Sequence, residues 1–184
     1  MYINIEGLLS ISKRGLIYLH QTDEHYVRPQ AAWERMRAAQ NSHQTVYIHG
    51  TTGSGKTFFV EDFLARRRYC YIHMADTAIE ELAGIAQKEM EKAEKKENAQ
   101  MIFVIDDLHV LESREEKTIC GQLIEQMSVR EDIWLILMSR EPLPKWLMSA
   151  FVRSVFLIIG EQELHLDEEE QESGELIQRG PQKV

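Results

Sequence analysis

Eight consecutive residues, Gly50-Thr51-Thr52-Gly53-Ser54-Gly55-Lys56-Thr57, constrain this chain more tightly than any other stretch. They follow the pattern G-x-x-x-x-G-K-[ST], and each part has a physical task. Glycines reach backbone dihedrals that a Cβ forbids, so successive N–H groups can turn inward as an anion nest. Lys56 adds a full positive charge for β- and γ-phosphates, and the hydroxyl of Thr57 suits Mg²⁺. The following helix would aim its positive N-terminus at the same anion. The flanks agree. Thr45–His49 reads as a buried strand, and Phe58, Phe59, Val60, Phe63 and Leu64 form an apolar helical face running to about Arg66.

A second anchor lies fifty residues beyond Lys56. Met101-Ile102-Phe103-Val104-Ile105 is an apolar run of the kind a parallel sheet buries on both faces. It ends in Asp106-Asp107, at the strand edge where α/β sheets bind ligands. Asp106 is placed to hold Mg²⁺, directly or through water, and Asp107 to polarise an attacking water as general base. A third run, Ile133–Met138, ends in Ser139-Arg140. Arg140 donates in a fork that suits phosphate oxygens, so it is the candidate sensor of a γ-phosphate.

The remaining elements alternate in the same way. Pro29 fits the first turn of a helix over Gln30–Gln40, with Ala32, Trp33, Met36 and Ala39 on one face. Periodicity favours a packing role for that helix; the functional reading puts Arg28 beside a nucleotide base. Tyr69–Met74 reads as a strand. Thr77–Glu80 has capping-box spacing and opens a helix bearing Leu82, Ile85, Ala86, Met90 and Ala93 on one side. The Glu- and Lys-dense run from Glu89 to Glu97 is read as a solvated helix face. Ser113–Glu116 is a second capping-box spacing, ahead of Ile119, Cys120, Leu123, Ile124 and Met127. Pro144 opens a short helix through Phe151, and Ser154–Ile159 is a final strand. The expectation is an α/β three-layer sandwich with a parallel sheet of about five strands. Three segments result: a leader over 1–26, a P-loop domain over 27–160, and an acidic helix start with a polar tail over 161–184.

Charge narrows the partners. The 184 residues carry a net charge of −9. From Gly160 onward, eight acidic residues face two basic ones, a net of −6, which leaves −3 for the first 159 residues. A nucleic-acid reader would carry a basic face, and Arg66-Arg67-Arg68 alone does not make one. No apolar run approaches membrane-spanning length and no secretory leader pattern opens the chain. The two cysteines, Cys70 and Cys120, lie in apolar settings and are expected as buried thiols. His20 and His25 have no partner spacing and are expected at the surface. A cytoplasmic protein, without membrane or direct nucleic-acid contact, fits these features.

The strand and motif order looks like the P-loop ATPase division that inserts a strand between the loop strand and the Asp strand, which implies sheet order 5-1-4-3-2. Within it, Arg28-Pro29, Gly50–Thr57, Ile102–Asp107 with Leu108-His109, Met138-Ser139-Arg140 and Leu164–Glu170 resemble the nucleotide-binding domain of STAND ATPases. The similarity is strongest to the large ATP-dependent LuxR-type transcriptional regulators related to the maltose regulon activator, and covers roughly Val27 to Glu170. It implies binding of ATP with Mg²⁺ and a lead-in Arg28-Pro29 near the adenine. It further implies that Asp106 and Asp107 serve Mg²⁺ and hydrolysis, and that Arg140 reads the γ-phosphate. Those regulators continue into a lid, a winged helix, a repeat sensor and a helix-turn-helix, none of which is recognisable here. The expectation is therefore a nucleotide switch with slow hydrolysis, whose partners are ATP or ADP, a second copy, or separate regulator domains. A non-hydrolysing interaction module shares every one of these residues. A small-molecule kinase would need a lid with arginines after the fourth strand, where only Arg140 and Arg153 stand.

Overall fold

The computed structural model describes residues 9–10, 28–65, 67–94 and 100–164. The leader over 1–26 apart from Leu9–Ser10, His20 and His25 included, as well as Val27, Arg66, Glu97 and the whole of 165–184, lies outside them.

The elements run β1 (Leu9–Ser10), α1 (Gln30–Asn41), β2 (Val46–His49), α2 (Lys56–Leu64), β3 (Tyr69–His73) and α3 (Ile79–Glu94). They continue with β4 (Met101–Asp106), α4 (Arg114–Ser128), β5 (Ile133–Ser139), α5 (Met148–Arg153), β6 (Leu157–Ile159) and α6 (Glu161–Leu164). Single 3₁₀ turns at Leu108–Val110 and Lys145–Leu147 follow β4 and precede α5. All strand pairs are parallel, in the order β1-β3-β4-β5-β2-β6. The five strands from β2 onward thus take the expected order 5-1-4-3-2. The two-residue β1, which sequence reasoning did not mark, pairs with Cys70 and Tyr71 outside β3.

Side-chain alternation divides the core into two layers. Tyr47, Cys70, Ile72, Phe103, Ile105, Leu135 and Leu137 face α3, α4 and α5, where they meet Leu82, Cys120, Ile124, Met127 and Ala150. Val46, Ile48, Tyr71, Ile102, Val104, Trp134, Ile136 and Met138 face α1 and α2, where they meet Met36, Phe59, Phe63 and Leu64. Trp134 is fully buried and its indole N–H is satisfied by the Gln44 carbonyl at 2.9 Å. Cys70 and Cys120 are buried and form no disulfide among the described residues.

Four local expectations need correction. Phe58 points outward at 39 % exposure, because α2 turns Phe59, Val60, Phe63 and Leu64 to the sheet instead. α2 ends at Leu64, where Ala65 leaves helical geometry with ψ 128°. α3 begins at Ile79 and not directly after Thr77. The turn Asp76 N–H to His73 C=O (3.1 Å) holds this stretch, and α3 opens one residue later with Leu82 N–H bonded to Ala78 C=O at 3.0 Å. The final strand begins at Leu157, and Val155 is 65 % exposed. The Ser113 box does form, with Ser113 Oγ accepting from Glu116 N–H and the Glu116 carboxylate accepting from Ser113 N–H, both at 3.0 Å.

Candidate nucleotide site

The strand order sets which residues share one edge. β2, β5, β4 and β3 lie side by side, with His49 in register with Ser139 and His73 in register with Asp106. The loop after β2, the carboxylates ending β4 and the Ser139-Arg140 corner ending β5 therefore emerge at the same carboxyl edge.

The loop has the conformation the motif requires. Gly53 and Gly55 sit at φ +85° and +83°, the left-handed region, and no neighbour lies within 4 Å of where a Cβ would be on either. Their glycine identity is thus dictated by backbone shape, not by crowding. Lys56 opens α2, so its N–H and that of Thr57 have no intrahelical acceptor and are available to an anion. Lys56 is 9 % exposed, and its ammonium donates to Gly50 C=O at 2.7 Å, Thr51 C=O at 2.8 Å and Ser54 Oγ at 3.1 Å. All three of its protons are placed on the loop itself. To meet a phosphate oxygen it must exchange at least one of these acceptors. Burial pushes its pKa down, opposed by Asp106, Glu161 and Asp107.

Across the edge, the two adjacent aspartates live in different surroundings. Asp106 is buried, accepts the Tyr71 hydroxyl proton and accepts Asp107 N–H at 2.7 Å. Burial, followed by the Asp106 charge and hydrogen bond, holds the Tyr71 hydroxyl far above its ordinary pKa. Asp107 adopts φ 59°, ψ 37°, uncommon for a non-glycine residue, which turns its side chain into the cleft. There Oδ2 meets His73 Nε2 at 2.7 Å, while Oδ1 lies 3.6 Å from His109 Nδ1 and 4.0 Å from Arg140 Nε. His73 Nδ1 is in turn 3.1 Å from Asp76 Oδ2. Ser139 Oγ accepts Glu141 N–H at 3.1 Å, and Gly50 N–H donates to Ser139 C=O at 3.3 Å, joining the loop directly to the β5 corner.

His73, Asp106 and Asp107 offer ligand atoms within 4.8 Å of one another. The two carboxylates supply oxygen donors of the kind Mg²⁺ takes, and exposed Thr57, in the first turn of α2, carries a hydroxyl of the same kind. Of the expected site residues, Gly50 to Thr57, Asp106, Asp107 and Arg140 share this edge. Arg28 is engaged elsewhere: its guanidinium makes a bidentate pair with Asp62 of α2 (2.7 and 2.9 Å) and stacks 3.8 Å from the Trp33 ring centre. Pro29 is the buried cap residue of α1.

Four residues of the site were not singled out from sequence. His49 and His73 each end a parallel strand, so strand endings alone would have placed them here. Burial lowers the His49 pKa, against the pull of Glu161. Tyr71 and Glu161 carry no local signal. Glu161 is 110 residues from the loop it contacts, accepting from Thr51 N–H at 2.8 Å and Thr51 Oγ1 at 2.6 Å.

Several solved structures are similar to this chain over much of its length. Drosophila ORC bound to AT-rich DNA and Cdc6 superposes with a TM-score of 0.53 at 9 % identity, covering 78 % of this chain and 57 % of that one. The replication initiator DnaA bound to AMPPCP and single-stranded DNA gives 0.45 at 15 % identity, with 85 % and 64 % covered. C. elegans PCH-2 gives 0.47 at 15 % identity, with 72 % and 41 % covered. This chain thus spans less than two thirds of each of those chains. No curated protein sequence matches it. The sequence profile of the ATPase family associated with various cellular activities (AAA) matches residues 46–160, more than half of the chain, from the loop strand through the end of β6, and the chain belongs to that AAA family.

Proposed function

We propose that this domain binds Mg-ATP and hydrolyses it slowly, as the nucleotide switch of a STAND-type signalling or transcriptional regulator. The observation that carries this reading is the shared edge. A left-handed glycine loop with Lys56 stands beside a buried Asp106 and a cleft-facing Asp107, with Arg140 4.0 Å from the latter. Membership of the AAA family supports nucleotide binding. The residue pattern shared with LuxR-type regulators supports the switch role.

In this reading, the N–H groups at the start of α2 receive the phosphates and Lys56 moves a proton donor from the loop carbonyls to them. Asp106, kept in place by Tyr71, and Thr57 would hold Mg²⁺, which would supply charge neutralisation for the phosphates. Asp107 orients the attacking water and takes its proton. Arg140 leaves Asp107 for the γ-phosphate, which couples nucleotide state to the β5 corner. Arg28 and Pro29 set the start of α1 against α2, and shape the base side through that packing.

A second reading has its own observation. His73 occupies Asp107 Oδ2 at 2.7 Å, so the base is engaged, and a domain that binds nucleotide without turnover follows. Calorimetric titration with ATP and ADP, with and without Mg²⁺, then phosphate release on the same sample, separates these. Mg²⁺-dependent ATP binding with turnover supports the switch ATPase. Binding without release supports the module. Absence of binding removes the nucleotide assignment.

A further inference from the structure

Among the described residues, the carboxylate of Glu161 holds the phosphate loop from outside. It accepts both donors of Thr51, the N–H at 2.8 Å and the hydroxyl at 2.6 Å, a bidentate grip on the second residue of the loop. The approach is close because Gly50 has no side chain: a Cβ there would lie 2.9 Å from Glu161 Cβ and 2.8 Å from Ser54 Oγ. Gly50 therefore serves this contact, whereas Gly53 and Gly55 serve backbone shape. The Glu161 charge also favours the protonated forms of Lys56 and His49.

The segment bearing Glu161 is anchored on its far side. Glu163 accepts Gly160 N–H at 3.0 Å and pairs with Arg35 of α1, whose guanidinium also donates to Ile158 C=O at 3.1 Å. Leu164 is buried against α1 and α2. So α6 is a short bar, fixed to α1 at one end and to the loop at the other.

We infer that Glu161 is a positioning residue that clasps the entry of the phosphate loop and couples the loop's geometry to α6. Resting on the nucleotide reading above, this makes α6 responsive to phosphate binding: whatever the phosphates do to Thr51 is felt at Glu161, and the coupling is reciprocal.

The test is a double-mutant cycle with Thr51→Val and Glu161→Ala. It is read by titration with inorganic tripolyphosphate and Mg-ATP, and by amide exchange of α6 without any ligand. Thr51 is exposed, so its valine variant is expected to fold. Glu161→Ala, which removes both acceptors, should weaken tripolyphosphate binding by about tenfold, Thr51→Val, which keeps the N–H, by less, and the double variant by no more than Glu161→Ala alone. Thr51→Val should speed exchange at Glu161–Leu164, although the substitution is far away in sequence; Glu161→Gln, which keeps one acceptor oxygen, should retain part of the affinity. Additive losses, or unchanged α6 exchange in Thr51→Val, would overturn the clasp. If the native protein binds neither ligand while Thr51→Val still frees α6, the clasp stands and the nucleotide reading falls.

Discussion

The two halves of the site are built in different ways. The phosphate loop is nearly self-contained: Lys56 bonds to Gly50, Thr51 and Ser54, all within six residues of itself. The carboxylate half is assembled from three places, with Tyr71 and His73 from β3, Asp106 and Asp107 from the end of β4, and Arg140 from the corner after β5. A contiguous loop keeps its geometry through local dihedrals, whereas the carboxylate half exists only while three strands keep their register. Damage should therefore be local and chemical in the first half, and spread into stability in the second.

The sharpest way to break this contrast is Lys56→Ala. The loop dihedrals belong to Gly53 and Gly55, so the fold should hold and the melting temperature should change little. Loss of several charge-assisted hydrogen bonds should reduce ATP affinity by more than about 10³-fold. Calorimetry and a thermal melt on one sample check both parts. Retained affinity would remove Lys56 from the site.

Asp107→Ala comes next. Asp107 sits in the cleft on a left-handed backbone that alanine disfavours, so a stability loss of about 1 kcal/mol is expected. ATP affinity should stay within about threefold. Phosphate release should fall about 10²-fold or more, the usual contribution of a general base. An equal fall in affinity and turnover would make Asp107 a binding group instead.

These two residues also show what the sequence could disclose. The loop's shape was legible because it depends on residue types at fixed spacing; the strands were legible as alternating apolar runs, and their order was what the resemblance to P-loop ATPases implied. The Tyr71–Asp106 bond, the His73–Asp107 pair and the Glu161 clasp were not legible, because each joins residues 34 to 110 positions apart and depends on side-chain direction at strand ends. Phe58 shows a smaller limit. Five apolar residues on a nine-residue helix exceed what one face can bury, and periodicity did not tell which would be left outside.

Tyr71→Phe probes the assembled half. It removes the hydroxyl donor from a buried carboxylate and keeps the ring, so the cost is that of a lost charge-assisted bond, about 1–3 kcal/mol in urea unfolding. A higher Mg²⁺ concentration should be needed for half-maximal ATP binding, since Asp106 loses its orienting partner. An unchanged unfolding midpoint would show that water replaces the hydroxyl and that β3 contributes little to holding Asp106.

The smallest effect is expected where the two halves are tied. Tyr47, on the loop strand β2, donates its hydroxyl proton to Glu141 C=O at 2.9 Å, next to Arg140. Tyr47→Phe should cost about 1 kcal/mol at pH 7, the net value of one hydrogen bond. The pH dependence gives a second check. Burial pushes the Tyr47 hydroxyl up to about 12, from an ordinary value of 10.0. A folded pKa raised above the unfolded one means that the unfolded chain gives up its proton first. The native protein therefore keeps this contribution below pH 10 and loses it as pH rises toward 12, by at most about 1.4 kcal/mol per pH unit. The phenylalanine variant has no such proton, so the stability gap at pH 7 should narrow above pH 10 and then reverse in sign by about pH 11. A gap that stays constant across this range would mean that Tyr47 is solvated enough to ionise in the folded state as readily as in the unfolded chain.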